Sequence, residues 1–461
     1  ACNPPPAARG RIMKITLLPS DKGDCLLIEA GSVTILADGG MPGSYASEVR
    51  GYLGKWAEDT GKQLDLVYVS HVDQDHIAGV LQLLEDTVQW RVFDHKHASG
   101  QSSGKPPFRR PPRVKRIWHN AFKLMVDESE AIGTVLAARA NTLSSSANPS
   151  LLRLADAFRS IANSIPEAIK VSRRIAADQL NIPLNGEFGK LLAMVRGHEV
   201  ISLAANSSLA IRVIGPFEKD LEVLRKYWKN WLSNPKKAGS LRDLEEWLEE
   251  NDGPIPPGFG VSIDDELGHR KDVTEPNLAS LMLLLEEPKA SGGVTRVIMT
   301  GDGHADDILA GLTHHGRLAD GAGLHVDVLK LQHHGSEHNL HRAFARRITA
   351  DHYLICANGK DKNPDLRVLE VLLDSRLGVA DKLSPNAEAG QPFTIWLNCS
   401  THYLDKQQAA YIAKKGTRST ELDKNIAHMK AVEALLAEAK QQNPGRLKLK
   451  PLKASPLELE V

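Results

Sequence analysis

The sequence contains few aromatic residues and no excess of charge of either sign. Aromatic residues make up 5% of the chain, and the 57 Lys and Arg residues equal the 57 Asp and Glu residues in number. Zero net charge gives no indication of a general attraction to nucleic acid or membranes. No apolar run approaches the roughly 20 residues that a membrane-spanning helix needs. The sequence therefore argues against a membrane span.

Cysteine is also scarce, and the four cysteines form neither a CxxC pair nor a short-spaced framework. They are Cys2, Cys25, Cys356 and Cys399. This spacing favours buried thiols in a reducing compartment, and so predicts a cytoplasmic protein.

The 461 residues are 42% hydrophobic and 25% charged, which is typical of a globular protein with a large core. Strand-like runs alternate with helical patterns, and this order predicts α/β layers. The strand-like runs are Ile12–Leu18, Cys25–Ala30, Val33–Ala37, Leu64–Val69, Val114–Trp118, Val200–Leu203, Ala210–Ile214, Ser280–Leu285, Val294–Met299, Val326–Leu331, Tyr353–Ala357 and Phe393–Leu397. The helical patterns with the clearest periodicity are Tyr45–Glu58, Ile77–Leu84 and Ser419–Gln441.

The composition predicts one main domain with additions. A Pro-rich start is expected to be a disordered leader, and two polar or helical stretches interrupt the strand pattern. The predicted parts are a leader at 1–11, a main α/β domain at 12–400 with a loop and helical insertion at 96–199 and a second insertion at 218–260, and a C-terminal helix and tail at 401–461.

The strongest chemical motif is the heptapeptide SHVDQDH, which starts at Ser70. An apolar strand leads into it and a helix leaves it. Residues two apart on an extended chain point the same way, so His71 and Asp73 can converge on one cation. The turn separates these two residues from Asp75 and His76, which can reach a second cation. Imidazole and carboxylate together suit Zn, Mn or Fe(II). A polar turn that caps a helix is the alternative interpretation. Such a turn does not account for four potential metal ligands directly after a buried strand.

Two later motifs also follow strands. Asp302, in Thr300-Gly301-Asp302-Gly303, can bridge two metals about 3.5–4 Å apart, although GDG alone is typical of an ordinary turn. The stretch LKLQHHGS contains the adjacent His333 and His334, which point in different directions. We therefore expect one of them, His333, to bind metal and the other to orient substrate or donate a proton.

Together the three motifs resemble the metallo-β-lactamase superfamily. In particular they resemble the hydrolase domain of the competence protein ComEC and its stand-alone bacterial relatives, whose opening motif is similar to HxDxDH where most of the superfamily has HxHxDH. The resemblance covers about residues 12–95 and 200–400. It implies an αββα sandwich and a bacterial, cytoplasmic location, but it does not cover the helical insertion and the C-terminal helical extension that composition and periodicity predict. It also implies two divalent metal ions, Zn or Mn, with Asp302 between them and a metal-activated water as the nucleophile.

Several further residues are candidates for the site. Asp75 and His334 are predicted to take part in catalysis. His119, at the end of the strand VKRIW, is a candidate additional metal ligand, although a lone histidine at a strand end is more often structural. Lys330 and Ser336 are candidate substrate-binding residues, with an outward-facing strand position as the alternative for Lys330.

One departure from the resemblance concerns a residue pair beyond the last motif. Relatives often have His-Pro after the strand that follows HHGS, whereas this chain has Asn363-Pro364. The substitution leaves open whether both metal sites are filled.

The sequence thus predicts a metal-dependent hydrolase, and more narrowly a phosphodiesterase or nuclease that acts on nucleic acid or a nucleotide. The alternatives are an ester, thioester or lactone hydrolase, and a regulatory module with a degraded metal site that binds a protein partner through the helical insertion or the C-terminal helix. The basic stretch Lys105–Arg116 (KPPFRRPPRVKR) can guide a phosphate backbone. A charged loop without a partner is the alternative.

Overall fold

The computed structural model describes residues 12–120, 167–189, 192–223, 225, 267–454 and 456–461. The predicted leader and large parts of both predicted insertions lie outside these described residues. Within the described ranges, none of the helices combines the length and apolar character that crossing a membrane requires.

Six strands form the first sheet, in the order β13-β1-β2-β3-β4-β5. Strands β13, β1, β2 and β3 pair antiparallel, whereas β3, β4 and β5 pair parallel. Their bounds are β1 Met13–Leu17, β2 Leu26–Ala30, β3 Val33–Ala37, β4 Leu66–Tyr68, β5 Ile117–Trp118 and β13 Leu457–Glu460.

Seven strands form the second sheet, in the order β12-β11-β10-β9-β8-β7-β6. The strands from β8 to β12 pair parallel, and β6, β7 and β8 pair antiparallel. Their bounds are β6 Ala210–Gly215, β7 Met282–Pro288, β8 Val294–Met299, β9 Leu324–Lys330, β10 Ile348–Ile355, β11 Phe393–Leu397 and β12 Leu447–Pro451.

Helices cover the outer faces of both sheets. A helical turn at Pro42–Ser44 and a π-helical turn at Tyr45–Val49 lead into the first long helix, and residues 167–175 are also helical. The named helices are α1 Arg50–Thr60, α2 Gln74–Ala98, α3 Glu275–Leu278, α4 Ala305–His314, α5 Arg342–Arg347, α6 Leu366–Leu377, α7 Thr401–Lys415 and α8 Thr420–Gln442.

The hydrophobic core is layered because the strands are apolar on both faces. On β7, Leu283 and Leu285 pack between the two sheets, whereas Met282 and Leu284 face the helices outside the second sheet. A separate cluster joins the first sheet to α1 and α2. Such continuous apolar strands are expected where both faces are buried. The helix–sheet–sheet–helix arrangement confirms the predicted α/β sandwich.

The long helix α2 packs directly on the turn after β3. A Cβ added at Gly79 would lie 1.8 Å from the carbonyl oxygen of Gly39, so only glycine permits this approach. The approach brings the first turn of α2, with Asp75 and His76, against the strand ends of the first sheet. The sequence predicted a much shorter helix here, Ile77–Leu84.

The C-terminal region differs from the predicted helix and tail. It contains two helices, α7 and α8, and then two strands, one in each sheet. In β12 and β13 exposed lysines or glutamates alternate with leucines, among which Leu447 and Leu459 are buried. The alternation has the period of a strand with one buried face. The stretch that was predicted to be a charged tail therefore forms the strands β12 and β13, which complete the two sheets.

Candidate metal centre

The residues of the three motifs converge where parallel strands end. Ser70 and His71 follow β4, Asp302 follows β8 and the His333-His334 pair follows β9. Within each sheet the carboxyl ends of the parallel strands lie at one edge, and these edges of the two packed sheets bring the side chains together. Two further strand ends, those of β3 and β5, bring Asp38 and His119 to the same edge.

Several groups of side chains are arranged to hold a metal ion. In each group the ligand atoms lie within 4.8 Å of one another and the residues are buried. Within the described residues the groups are His71, His76 and Asp302; Asp75, His76 and His334; Asp24, Asp302 and His334; and Asp24, Asp38 and His76.

Asp302 lies at the centre of these groups. Its Oδ1 is 3.4 Å from Nε2 of His76. Its Oδ2 is 3.7 Å from Nε2 of His71 and 3.5 Å from Nε2 of His334. Oδ2 therefore lies between His71 and His334 while Oδ1 faces His76, and a carboxylate among three histidines can link two cations.

Hydrogen bonds at Nδ1, the ring nitrogen that faces away from Asp302, orient two of the histidine rings. Nδ1 of His76 donates to Asp38 Oδ2 at 2.9 Å, and Nδ1 of His334 donates to the carbonyl oxygen of Cys356 at 2.8 Å. When these rings are neutral, as in a metal-bound state, each bond leaves Nε2 as the unprotonated nitrogen. Metal-binding histidines are commonly held in this way.

Several atoms that face the cluster are buried and have no hydrogen-bond partner. Among them are Nε2 of His71, His76 and His334, Oδ1 of Asp302 and Oδ1 of Asp73. Buried polar groups are normally satisfied, so such a concentration of unpaired atoms needs a cause. Metal coordination would satisfy all of these atoms, and the residues therefore fit divalent cations.

The charge balance of the cluster also favours cations. Burial would raise the pKa of Asp302, but the neighbouring His334 and His76 outweigh it and hold that pKa well below its usual range. Burial opposes protonation of His334, yet Asp302 and Asp24 raise its pKa to about 9. The nearby carboxylates belong to Asp24, Asp38, Asp73, Asp75 and Asp302, and the lysines that pair with them are Lys22 and Lys330. The carboxylates outnumber the ammonium groups, so the cluster attracts divalent ions.

The adjacent histidines occupy different positions. His333 and His334 have φ angles of 44° and 58°, a left-handed conformation that is uncommon for residues other than glycine and that concentrates at functional sites. The side chain of His334 is 6% exposed, and its Nε2 is 3.6 Å from Asp75 Oδ2. His333 is 28% exposed, and its Nε2 is 3.7 Å from Asp302 Oδ2. His334 thus lies deeper in the cluster than His333, and the four ligand groups include only His334.

His119 lies in the same buried region. Both of its ring nitrogens are buried without a hydrogen-bond partner. Burial, with a smaller contribution from His71, lowers its pKa to about 4. The ring is therefore neutral and has a free lone pair, as a metal ligand requires.

The two predicted substrate-binding residues lie behind the cluster rather than at its opening. Lys330 is fully buried, and its Nζ donates to the carbonyl oxygen of Gly301 at 3.0 Å and pairs with Asp24. Ser336 is buried as well, and its Oγ accepts from the backbone nitrogen of His338 at 3.3 Å. Both residues support the loops that contain Asp302 and the histidines.

Asn363 lies in a turn that is closed by backbone hydrogen bonds. Its nitrogen donates to Lys360, and its carbonyl oxygen accepts from Gly359, both at 3.0 Å. The four ligand groups are complete without a residue from this turn. The missing His-Pro therefore leaves the observed ligand set intact.

Sequence reasoning missed three residues of the site, namely Lys22, Asp24 and Asp38. Asp24 follows Gly23 and Asp38 precedes Gly39. This is the same pairing of aspartate and glycine near a strand end that drew attention to Asp302. The signal was present, but such pairs also occur in ordinary turns.

The basic stretch Lys105–Arg116 is largely neutralised within the protein. Four of its cations form ion pairs with acidic side chains, and Arg110 also stacks on the Trp90 ring. The pairs are Arg109–Glu58, Arg110–Asp94, Lys115–Asp65 and Arg116–Glu187. The loop thus has little uncompensated charge with which to attract a phosphate backbone.

Comparison with known families agrees with this geometry. Residues 19–127 match the family described as "Metallo-beta-lactamase superfamily". The matched stretch contains the SHVDQDH motif as well as Asp24, Asp38 and His119. No curated protein matches the chain, so the ComEC-like assignment stays a prediction. The superfamily match and the ligand groups together support a metal-dependent hydrolase.

Proposed function

We propose that this protein is a metal-dependent phosphodiesterase or nuclease. The observation that carries the proposal is the position of Asp302, whose two oxygens face different histidines in a cluster rich in carboxylates. A carboxylate in this position can link two hard-leaning metal ions. Two such ions stabilise both the attacking and the leaving oxygen of a phosphoryl displacement.

The unpaired atoms suggest which residues would hold each ion. When bound, the ions supply Lewis acidity and generate the nucleophile from water near neutral pH. We assign His71, Asp73 and His119 to the first ion, Asp75, His76 and His334 to the second, and Asp302 to both.

His333 is left with a different role in this proposal. Its Nδ1 donates to Asn339 Oδ1 at 2.7 Å. Burial lowers its pKa, so the ring is neutral and Nε2 can accept a proton. Because His333 is the more exposed of the pair, we propose that it orients substrate and exchanges a proton at Nε2. This reverses the assignment of the two histidines that the sequence suggested.

Activity measurements on a matched pair of aspartate variants would test the hydrolase and its substrate. Wild type, Asp302→Asn and the surface control Asp94→Asn are supplied separately with Mn, Mg and Zn, and assayed on linear DNA, RNA, cyclic nucleotides and a generic ester. We expect Mn-dependent release of nucleotides by wild type and Asp94→Asn, and a loss of about a hundredfold in Asp302→Asn.

Two outcomes would contradict the proposal. Zn-dependent ester cleavage without nucleotide release would favour the ester hydrolase. Less than one bound metal ion per chain, together with unchanged function in Asp302→Asn, would favour a regulatory binding module.

The roles of the two histidines can be separated by measuring metal content and turnover together. We expect His334→Ala to lose the second metal ion. We expect His333→Ala to keep both ions and to lose kcat, because it removes a proton-exchanging group and no ligand. Loss of metal from His333→Ala would restore the assignment made from sequence.

A further inference from the structure

A lysine outside the sequence motifs faces solvent beside the proposed metal ligands. Nζ of Lys22 lies 3.2 Å from Oδ2 of Asp75, and the Lys22 side chain is 32% exposed. The other lysine of the cluster, Lys330, is fully buried. Lys22 is therefore the lysine of this pair that a substrate can reach.

The turn that contains Lys22 is fixed directly against the metal centre. Ser20 Oγ donates to the carbonyl oxygen of Gly23 at 2.6 Å, and the Asn398 side chain donates to Ser20 Oγ at 2.8 Å. A Cβ added at Gly23 would lie 1.9 Å from the carbonyl oxygen of Asp75. The backbone on one side of Lys22 thus packs on Asp75 itself, and this contact places the Lys22 backbone beside the metal centre.

The charges around Lys22 favour an anionic ligand once Asp75 binds metal. A lysine ammonium group is protonated near neutral pH, and that of Lys22 lies 3.2 Å from Asp75 Oδ2. A metal ion held by Asp75 would neutralise that carboxylate and would add positive charge beside the lysine. Two neighbouring cations at a solvent-facing position attract an anionic oxygen.

We propose that Lys22 is a substrate-binding residue whose ammonium group binds an anionic oxygen of the substrate beside the metal centre. For a phosphodiester substrate this oxygen is a non-bridging phosphoryl oxygen, and that part of the inference rests on the proposed function. The compact ammonium group acts as a point charge and needs no fixed bidentate geometry.

Binding of inorganic phosphate tests Lys22 without requiring turnover. Metal-loaded wild type, Lys22→Gln, Lys22→Arg and the control Lys62→Gln are titrated with phosphate by calorimetry, and bound metal and the thermal midpoint are measured in each. Lys62 pairs with Glu29 on the surface. We expect Lys22→Gln to raise the Kd for phosphate about tenfold at unchanged metal content, Lys22→Arg to retain most of the affinity, and the control to match wild type.

Three results would overturn the inference: wild type that binds no phosphate, equal affinity in wild type and Lys22→Gln, or a loss of phosphate binding that follows a loss of metal. In the last case Lys22 only holds Asp75 in place.

Steady-state kinetics separate this inference from the proposed function. Wild type and Lys22→Gln are compared on a nitrophenyl phosphodiester and a neutral nitrophenyl ester. We expect the substitution to raise KM for the phosphodiester and to leave KM for the ester unchanged. Cleavage of the ester alone, with phosphate affinity still dependent on Lys22, would reject the phosphodiesterase and retain the anion-binding lysine. A KM that rises equally for both substrates would reject the role of Lys22.

Discussion

Asp38 holds several parts of the candidate site in place without belonging to the proposed ligand set. Its carboxylate accepts from the backbone nitrogen of Ser70 at 2.7 Å and from Ser70 Oγ at 2.8 Å, as well as from His76 Nδ1. Its φ of 57° is left-handed, which aspartate tolerates better than most residues. These contacts fix the tautomer of His76 and the start of the SHVDQDH motif.

Replacing Asp38 with asparagine should weaken metal binding although every proposed ligand residue is retained. The amide cannot accept hydrogen bonds on both sides, so His76 loses its orientation. We expect metal affinity to fall by about 10- to 100-fold, measured by competition with a chelating dye. Asp65→Asn is the matched control, because Asp65 is buried and accepts from the Thr34 backbone nitrogen elsewhere in the first sheet. A similar loss of affinity in both variants would contradict a specific role for Asp38.

Residue types and spacing predicted much of the site, but not the parts that depend on three-dimensional contacts. His71, Asp75 and His76 belong to the ligand groups and could be predicted because four potential ligands within six residues are unusual, whereas Asp73 belongs to none of these groups. The choice between His333 and His334 was not available from sequence, because it depends on the left-handed turn that buries His334. Lys22 was missed because its role arises from a contact between distant parts of the chain.

At the scale of secondary structure, two glycines in helices have opposite surroundings. Gly79 in α2 meets the Gly39 backbone, whereas a Cβ at Gly51 in α1 would have open space around it. Backbone cannot yield as a flexible side chain can, so the contact at Gly79 tolerates no added atom.

Alanine substitutions at these two glycines should change stability in opposite directions. We expect Gly79→Ala to lower the free energy of unfolding by about 2 kcal/mol through overpacking. We expect Gly51→Ala to raise it by up to about 1 kcal/mol, because alanine favours the helix. Urea unfolding measures both. Equal effects would show that the close approach of α2 to β3 is not required.

A carboxylate on β7 forms ion pairs with arginines of the two adjacent strands and of the segment after α4. Glu286 pairs with Arg212 on β6 at 3.1 Å, with Arg296 on β8 at 3.3 Å and with Arg317 after α4 at 2.8 Å. Burial would raise the pKa of Glu286, but Arg317 and Arg212 outweigh it and lower the pKa below 4.5. The ionised carboxylate therefore stabilises the fold at pH values above the pKa of Glu286 in the unfolded chain. This contribution is lost as the pH falls through the lower pKa of Glu286 in the folded protein.

Glu286→Gln should accordingly show a pH-dependent loss of stability. At pH 7 we expect the free energy of unfolding to fall by about 2 kcal/mol, because charge-assisted hydrogen bonds are removed. The difference from wild type should shrink as the pH falls through the lowered pKa of Glu286, where the wild-type carboxylate also becomes protonated. Glu458→Gln, at a half-exposed pair with Lys14, should change stability by less than about 1 kcal/mol. A difference for Glu286→Gln that does not change with pH would contradict the assigned charge.

Periodicity predicted individual strands well where both faces are buried. The bounds of β8 and β11, Val294–Met299 and Phe393–Leu397, agree with the predicted runs. The helix α2 was predicted too short because its later turns are rich in polar residues. The strands β12 and β13 were missed because each lies at a sheet edge, where only one face needs apolar residues.

At the scale of the whole molecule, the end of the described chain completes both sheets. β12 pairs with β11 in the second sheet, and β13 pairs with β1 in the first. Leu459 on β13 is 3% exposed and packs in the core between the sheets. The last described residues therefore contribute to the core as well as to an edge.

Removing residues 456–461 should destabilise the protein more than truncating one side chain. We expect Leu459→Ala to cost about 2–3 kcal/mol. The deletion should lower the thermal midpoint further and promote aggregation, because it leaves the edge of β1 unpaired. Glu460→Ala is the control, since this side chain is exposed. Calorimetry and light scattering measure both effects, and an unchanged midpoint after the deletion would contradict this role of β13.

The pairing of Lys14 with Glu460 also sets an order of events during synthesis. β1 is translated before all the other described strands, but its outer partner is translated last among them. Until β13 has been made, the outer edge of β1 has unpaired backbone groups, as any sheet edge does. The first sheet therefore reaches its final form only after the described chain has been translated, and a ribosome-stalled chain that lacks residues 457–460 cannot complete it.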